Sequence, residues 1–262
     1  MRRAYLLALI LTGCSENHER IAEQSQISSA DLRSGYEFLQ PETQALQDDA
    51  FANPGYLWVD KGKALFNQSP EHGEPACSSC HSDDSRPVSK AAAHYPAIDE
   101  QSGKLVNLES RINLCRERYQ GLAPLEYESD DLLGLTAYLS HLAQGEPVSV
   151  TIDGQARKYY DAGEDYFFLR KGQFNLACSQ CHNEHWGDKL RGDTISQGHG
   201  NAFPAYRMEW QTFGSLHRRL RDCDSGIRAE PLEYGSETYT AVELYLAKRA
   251  EGLAMESPGV RR

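Results

Sequence analysis

Two pentapeptides carry the chemistry of this chain: Cys77-Ser78-Ser79-Cys80-His81 and Cys178-Ser179-Gln180-Cys181-His182. In a Cys-x-x-Cys-His run, two thiols one helical turn apart can each add to a vinyl group of one tetrapyrrole, and the adjoining imidazole then faces its iron. A single copy also arises by chance, or as half of a zinc or disulfide site. Two copies about a hundred residues apart, inside a repeated context, point to two covalently bound haem c groups. Cys77, Cys80, Cys178 and Cys181 are then the attachment points, and His81 and His182 the first iron ligands.

The second axial position needs a residue present in both copies. Methionine, the common choice in small cytochromes c, fails: Met1 opens the chain, Met255 lies near its end, and Met208 has no counterpart upstream. Cys115 follows His81 by 34 residues and Cys223 follows His182 by 41. Each closes a segment of one pattern: Leu108, Ile112 and Cys115, then Leu216, Leu220 and Cys223, spaced to face inward on a helix. A thiolate there stabilises ferric iron and predicts low potentials. The alternatives are a disulfide between the two cysteines, two buried hydrophobes, or ligation by His94, His141, His199 or His217.

Charge separates the two copies. Arg218, Arg219, Arg221 and Arg228 surround Cys223, whereas Arg111, Arg116 and Arg118 around Cys115 are offset by Glu109 and Glu117. On a helix Arg219 stands four residues before Cys223, on nearly the same face. A guanidinium there lowers a thiol pKa and binds a small oxyanion through paired donors. A solvated helix face, or pairing with haem propionates, is the plainer account of these arginines. Arg111, at the matching place before Cys115, fits a propionate or structural role.

The elements that position these residues repeat. Pro124-Leu125-Glu126-Tyr127 recurs as Pro231-Leu232-Glu233-Tyr234, followed by amphipathic stretches from Asp130 to Ala143 and from Glu237 to Ala250. Upstream of each haem motif a helical pattern contains Gly62 and Phe66, then Gly163 and Phe167. The pattern predicts a mainly α fold of two tandem cytochrome c-like domains from an internal duplication. In each, the first helix crosses the last at a glycine, with Tyr138 and Tyr245 opposite. The predicted division is a polar N-terminal extension over 14–50, a first domain over 51–147 and a second, catalytic domain over 148–262, with Glu146 to Val150 as linker.

Arg2 and Arg3, an apolar run from Ala4 to Leu11 and then Gly13 read as a cleaved export signal over 1–13, too short to span a bilayer. Leu11-Thr12-Gly13-Cys14 is similar to a bacterial lipobox, which would anchor the mature chain through Cys14; an ordinary signal cut further on is the alternative. Either route leads to the periplasm. A net charge of −11 argues against nucleic acid as a partner.

The segments Arg33-Ser34-Gly35-Tyr36, Asn107-Leu108-Glu109-Ser110-Arg111-Ile112-Asn113-Leu114-Cys115-Arg116 and Arg218-Arg219-Leu220-Arg221-Asp222-Cys223 resemble the SoxA family, the cytochrome subunits of bacterial SoxAX thiosulfate-oxidising complexes. The resemblance implies an L-cysteine S-thiosulfotransferase that joins thiosulfate to a cysteine of the SoxYZ carrier and passes two electrons through haem to a cytochrome c. It implies a SoxX-type monohaem cytochrome as heterodimer partner. It places His81 and Cys115 on the first iron and His182 and Cys223 on the second. Cys223 matches the family's active-site cysteine, a persulfide in its working form, and Arg219 its substrate-binding arginine. The lipobox departs from the soluble form usual in the family. A dihaem electron-transfer cytochrome without chemistry of its own is the competing reading.

Overall fold

Glycine at two helix crossings organises this chain, whose computed structural model describes residues 27–70, 73–81 and 88–262. The export signal, Cys14 and the polar stretch up to residue 26 lie outside the described residues. In residues 27–32 a turn closes through the Asp31 amide donating to the Ser28 carbonyl at 2.9 Å.

From Arg33 onward the elements come in two like sets. The first holds α1 (Pro41–Asp48), α2 (Tyr56–Asn67), the single-turn α3 (Cys77–His81), a hairpin of β1 (Ala97–Asp99) and β2 (Lys104–Val106), α4 (Leu108–Cys115) with a π-helical turn over Arg116–Gln120, and α5 (Asp130–Leu142). The second holds α6 (Arg157–Phe168), α7 (Cys178–His182), a small hairpin of β3 (Lys189–Leu190) and β4 (Asp193–Thr194), a hairpin of β5 (Ala205–Arg207) and β6 (Thr212–Gly214), α8 (Leu216–Gly226) and α9 (Glu237–Arg249). A last strand, β7 (Gly259–Arg261), lies parallel to β5. The fold is predominantly helical, and among the described residues no helix is long and apolar enough to cross a membrane.

Within each set the first long helix packs on the last. A β-carbon at Gly62 would lie 1.9 Å from the Gly134 carbonyl oxygen and 2.9 Å from Cβ of Tyr138. At Gly163 it would lie 2.1 Å from the Ala241 carbonyl oxygen and 3.0 Å from Cβ of Tyr245. Only hydrogen fits at either crossing, so the backbones of α2 and α5, and of α6 and α9, approach more closely than side chains allow. The predicted tyrosines are the partners. Side-chain caps set where the later helices begin: Asn107, Ser129, Ser215 and Ser236 each accept from an amide in the first turn.

The segment expected to be a linker is instead built into the core. Val148 and Val150 are buried, the Val148 amide donates to the Leu253 carbonyl at 2.8 Å, and the Gly252 amide returns a bond to Val148 at 2.9 Å. The Gly145 and Met255 amides extend this ladder, and the Ser149 amide donates to Ala93 at 2.9 Å. Proline and two valines suit a short extended strand better than a solvated joint. The extension wraps in its described part: the Arg33 amide donates to Gln197 at 2.9 Å, Ser34 hydrogen-bonds Glu256, and Gln47 accepts from the Val260 amide at 2.9 Å.

Where the two sets meet, Tyr127 stacks between His217 and Tyr234, at 5.3 and 5.5 Å between ring centroids. Tyr127 and Tyr234 are the corresponding residues of the repeated Pro-Leu-Glu-Tyr segments. A cavity of about 80 Å³ beside them is bounded by Leu108, Glu109, Leu216 and Glu243. Both carboxyl groups are buried, and burial followed by the Glu243 charge pushes Glu109 well above the usual carboxylate range. A carboxyl raised in the folded state holds its proton more tightly there than in the unfolded chain, so its contribution to stability is full at acid pH and is lost as pH rises through the raised value. We predict that Glu109→Gln removes that loss, by about 1.4 kcal/mol for each unit of elevation. The melting temperatures of the two proteins should diverge in the variant's favour from pH 5 to 9; parallel profiles would refute it.

Candidate active site

The single turn α7 presents Cys178 and Cys181 as free thiols and ends at His182. The ring of His182 is buried, its Nδ1 lies 2.7 Å from the Ser196 carbonyl oxygen, and a side chain at Gly198 would come within 2.9 Å of its Cγ. A carbonyl only accepts, so Nδ1 carries the hydrogen and Nε2 keeps its lone pair. Burial lowers the imidazole pKa to about 4, against the Ser196 carbonyl and with the Arg219 charge assisting, so the ring is neutral. Around Cys178 stand Phe167, Val242, Tyr245, Leu246, Leu216 and Leu220, an apolar wall suited to a porphyrin face. The donor set and the wall fit haem c.

Cys223, in the last turn of α8, comes to this same place. Its charge raises both Cys178 and Cys181, behind burial as the larger cause. The corresponding relation holds in the first set, where burial and then Cys115 raise Cys77 against the lowering charge of Arg116. Each late cysteine therefore sits beside its own pentapeptide. All six described cysteines are free thiols, so Cys115 and Cys223 are not bonded to each other. His81 packs near Phe66, at 6.4 Å between centroids, within the apolar cluster that includes Cys77, Leu108 and Ile112.

Each of the four other histidines considered as ligands has a ring nitrogen engaged by the chain. Nδ1 of His94 lies 2.9 Å from the Ser149 carbonyl, and that of His141 3.4 Å from the Ser257 carbonyl. Nε2 of His199 faces Gln197 at 3.2 Å, while its Nδ1 is buried without a hydrogen-bond partner among the described residues. His217 accepts from the Gly235 amide at 3.0 Å, and its Nε2 faces Glu243 at 3.4 Å.

The arginines around Cys223 divide sharply. Arg218 stacks on Trp210 at 4.5 Å, Arg221 on Tyr234 at 4.6 Å while donating to the Leu232 carbonyl, and Arg228 on Phe174 at 4.9 Å while donating to Gln173 at 3.2 Å. Arg219 makes no side-chain hydrogen bond, ion pair or ring contact with any described residue, yet its charge acts on His182. It is the guanidinium of this group left for an external anion. Arg111, its counterpart, is fully engaged: Nε donates to the Tyr95 hydroxyl at 3.1 Å, Nη2 lies 3.0 Å from Asp99, and its charge acts on the Cys115 thiol. Burial still pushes the Cys115 thiol up.

Asp224 and Asp99 were not among the expected site residues. The Asp224 carboxylate is buried and accepts from the hydroxyls of Tyr166 at 2.6 Å and Tyr239 at 2.7 Å, with Lys171 at 2.5 Å. Burial, then this carboxylate, pushes both phenols up and keeps them donors. The network pins the end of α8 and with it the neighbouring Cys223. Asp99 is held well below the usual carboxylate range by two hydrogen bonds from Arg118, at 2.8 and 2.7 Å, with Ser102 and Arg111 adding to them. The acid directly after Cys223 was visible in the sequence; nothing there marked its partners.

Fold and donor set together define a c-type cytochrome carrying two covalently bound haem c groups. The family model of the SoxA/TsdA cytochrome c domain matches residues 61–148. The L-cysteine S-thiosulfotransferase subunit SoxA of Pseudaminobacter salicylatoxidans is 35% identical over 230 residues, covering 87% of this chain and 80% of the relative. That of Rhodovulum sulfidophilum is 35% identical over 231 residues, covering 88% and 80%. The crystal structure of SoxXA from P. pantotrophus matches with a TM-score of 0.83 at 33% identity, covering 88% of this chain and 87% of that one. The chain belongs to the SoxA family.

Proposed function

We infer that this protein is a haem-dependent L-cysteine S-thiosulfotransferase of the periplasm, working as a heterodimer with a SoxX-type monohaem cytochrome. Its substrates are thiosulfate and a cysteine of a SoxYZ-type carrier, and a cytochrome c takes the electrons. In this reading residues 51–147 and 148–262 are two cytochrome c-like domains, a division supported by the repeated helix crossings at Gly62 and Gly163. Cys77, Cys80, Cys178 and Cys181 attach haem; His81 and Cys115 ligate the first iron, His182 and Cys223 the second. Cys14 is the proposed site of a lipid anchor and lies outside the described residues.

The reaction forms one S–S bond. A carrier thiolate and thiosulfate give an S-sulfosulfanyl cysteine and two electrons, and a thiol first loses a proton. Haem c, when bound, supplies the electron acceptor that this bond formation requires. The chain's own residues do the rest: Arg219 binds the sulfonate end, Cys223 presents the reactive sulfur, and the Tyr166–Asp224–Tyr239 network holds that cysteine in register. Ser196 and Gly198 fix the ring of His182.

The observation that carries this reading is the convergence of Cys223 on Cys178 and Cys181, with the unengaged Arg219 acting on His182. The test is intact mass of the carrier after incubation with thiosulfate, oxidised cytochrome c and the haem-loaded chain paired with its monohaem partner. One sulfonated-sulfur adduct per carrier cysteine, matched by two reduced cytochromes, is expected. Cytochrome reduction by other donors with an unmodified carrier would leave the chain an electron carrier.

A further inference from the structure

From the first hairpin to the late cysteine, the two sets run at one constant spacing. Ala97 pairs with Val106 across β1 and β2 as Ala205 pairs with Gly214 across β5 and β6; Asp99 faces Lys104 as Arg207 faces Thr212. The following helices start at Leu108 and Leu216, and Cys115 and Cys223 fall at the same step along them. At that spacing Arg219 stands where Arg111 stands, and Arg207 stands where Asp99 stands.

The exchange of acid for base changes what the site can hold. In the first set the nearly inaccessible Asp99 carboxylate lies 3.0 Å from Arg111 and takes two further bonds from Arg118, so the anion facing that guanidinium is part of the chain. In the second set this internal anion is replaced by another guanidinium. Arg207 is only 5% exposed, and its Nε is buried without a hydrogen-bond partner. Its Nη2 pairs with Glu209, a half-exposed residue on the solvent side, and its ring neighbour is Trp210 at 5.1 Å. Burial, then the Arg219 charge, lowers the pKa of Arg207 against the Glu209 and Asp222 carboxylates. Two cations therefore share one region whose acids, one exposed and paired with Arg207, the other half-buried and bonded to Trp210, do not pair with both guanidiniums as Asp99 does with Arg111 and Arg118. Such a pair is unfavourable until an oxyanion joins it, and a planar guanidinium pair matches the oxygens of a sulfonate or carboxylate.

We propose that Arg207 and Arg219 together form the oxyanion site of this enzyme, with the sulfonate end of thiosulfate taking the place that the Asp99 carboxylate fills in the first set. Arg207 is then a second substrate-binding residue, and the acid-to-base exchange is what makes one of two like sites receptive. The proposal rests on the thiosulfotransferase reading, but its first test needs no turnover.

Sulfate binding to the haem-loaded heterodimer, measured by calorimetry, should be weakened about 30-fold or more by Arg207→Asp, which restores the first set's internal pair. Arg207→Lys, keeping the charge but not the fork, should fall between. In turnover the same variants should raise KM for thiosulfate in the same order, with a smaller effect on kcat. Haem absorption and midpoint potentials report the competing role, pairing with a haem propionate. Unchanged sulfate binding and KM together with shifted haem spectra or potentials would overturn the proposal, as would unchanged values of all four. If Arg207→Asp fails to take up haem, Arg207→Lys decides alone. A wild-type protein that binds sulfate through Arg207 but transfers no sulfur would sink the proposed function and leave this site standing.

Discussion

Cys223→Ala should abolish sulfur transfer, by about a thousandfold or more, while both haems stay attached. In the proposed site attachment rests on Cys178 and Cys181, and the ring of His182 is held by Ser196 and Gly198, none of which the substitution touches. What disappears is the sulfur beside Arg219. The neighbouring Asp224 network is independent of the thiol, so α8 should keep its place and the variant should melt near the wild type. Cys115→Ala supplies the contrast, because Arg111 beside it is already occupied by Asp99 and Tyr95. That variant should change the spectrum of one haem and retain most of the transfer. The carrier-mass measurement checks both; residual activity of Cys223→Ala within tenfold of wild type would remove this cysteine from the chemistry.

The second large effect is on stability. Gly163→Val places a branched side chain where even a β-carbon would lie 2.1 Å from the Ala241 carbonyl oxygen, an atom that cannot rotate away. Helices α6 and α9 must separate, and the wall of Phe167, Val242 and Tyr245 opens with them. A loss of about 3 kcal/mol is expected from overpacking of this kind. Urea unfolding of the haem-loaded protein measures it as a lower midpoint. Gly226→Ala is the control, since a β-carbon there meets open space; equal midpoints for the two variants would refute the account of the crossing.

Much of this architecture is legible because its determinants are local and periodic. The stretches expected at Asp130 to Ala143 and Glu237 to Ala250 form helices Asp130–Leu142 and Glu237–Arg249, and the glycine and tyrosine partners of both crossings follow from helical spacing. The pairing of each late cysteine with its own pentapeptide follows from the repeat. The arginines show where such reading stops. Four cations around Cys223 look alike as letters, and only tertiary contacts with Trp210, Tyr234 and Phe174 occupy three of them. Asp99 and Arg207 lie on three-residue strands, too short to give a hydrophobic period, so their correspondence emerges from hairpin register. The Ser196 carbonyl behind His182 leaves no side-chain signature at all. Glu146 to Val150 reads as a linker because it follows the end of the first repeated unit, while its ladder partners come from residues 252–255, more than a hundred positions later.

That ladder also latches the two sets to one another. The strand around Val148 takes its bonds from Gly252, Leu253 and the stretch to Met255, which follow α9 of the second set. Loosening either set strips bonds from the other, so the two are coupled in unfolding and do not come apart as independent modules.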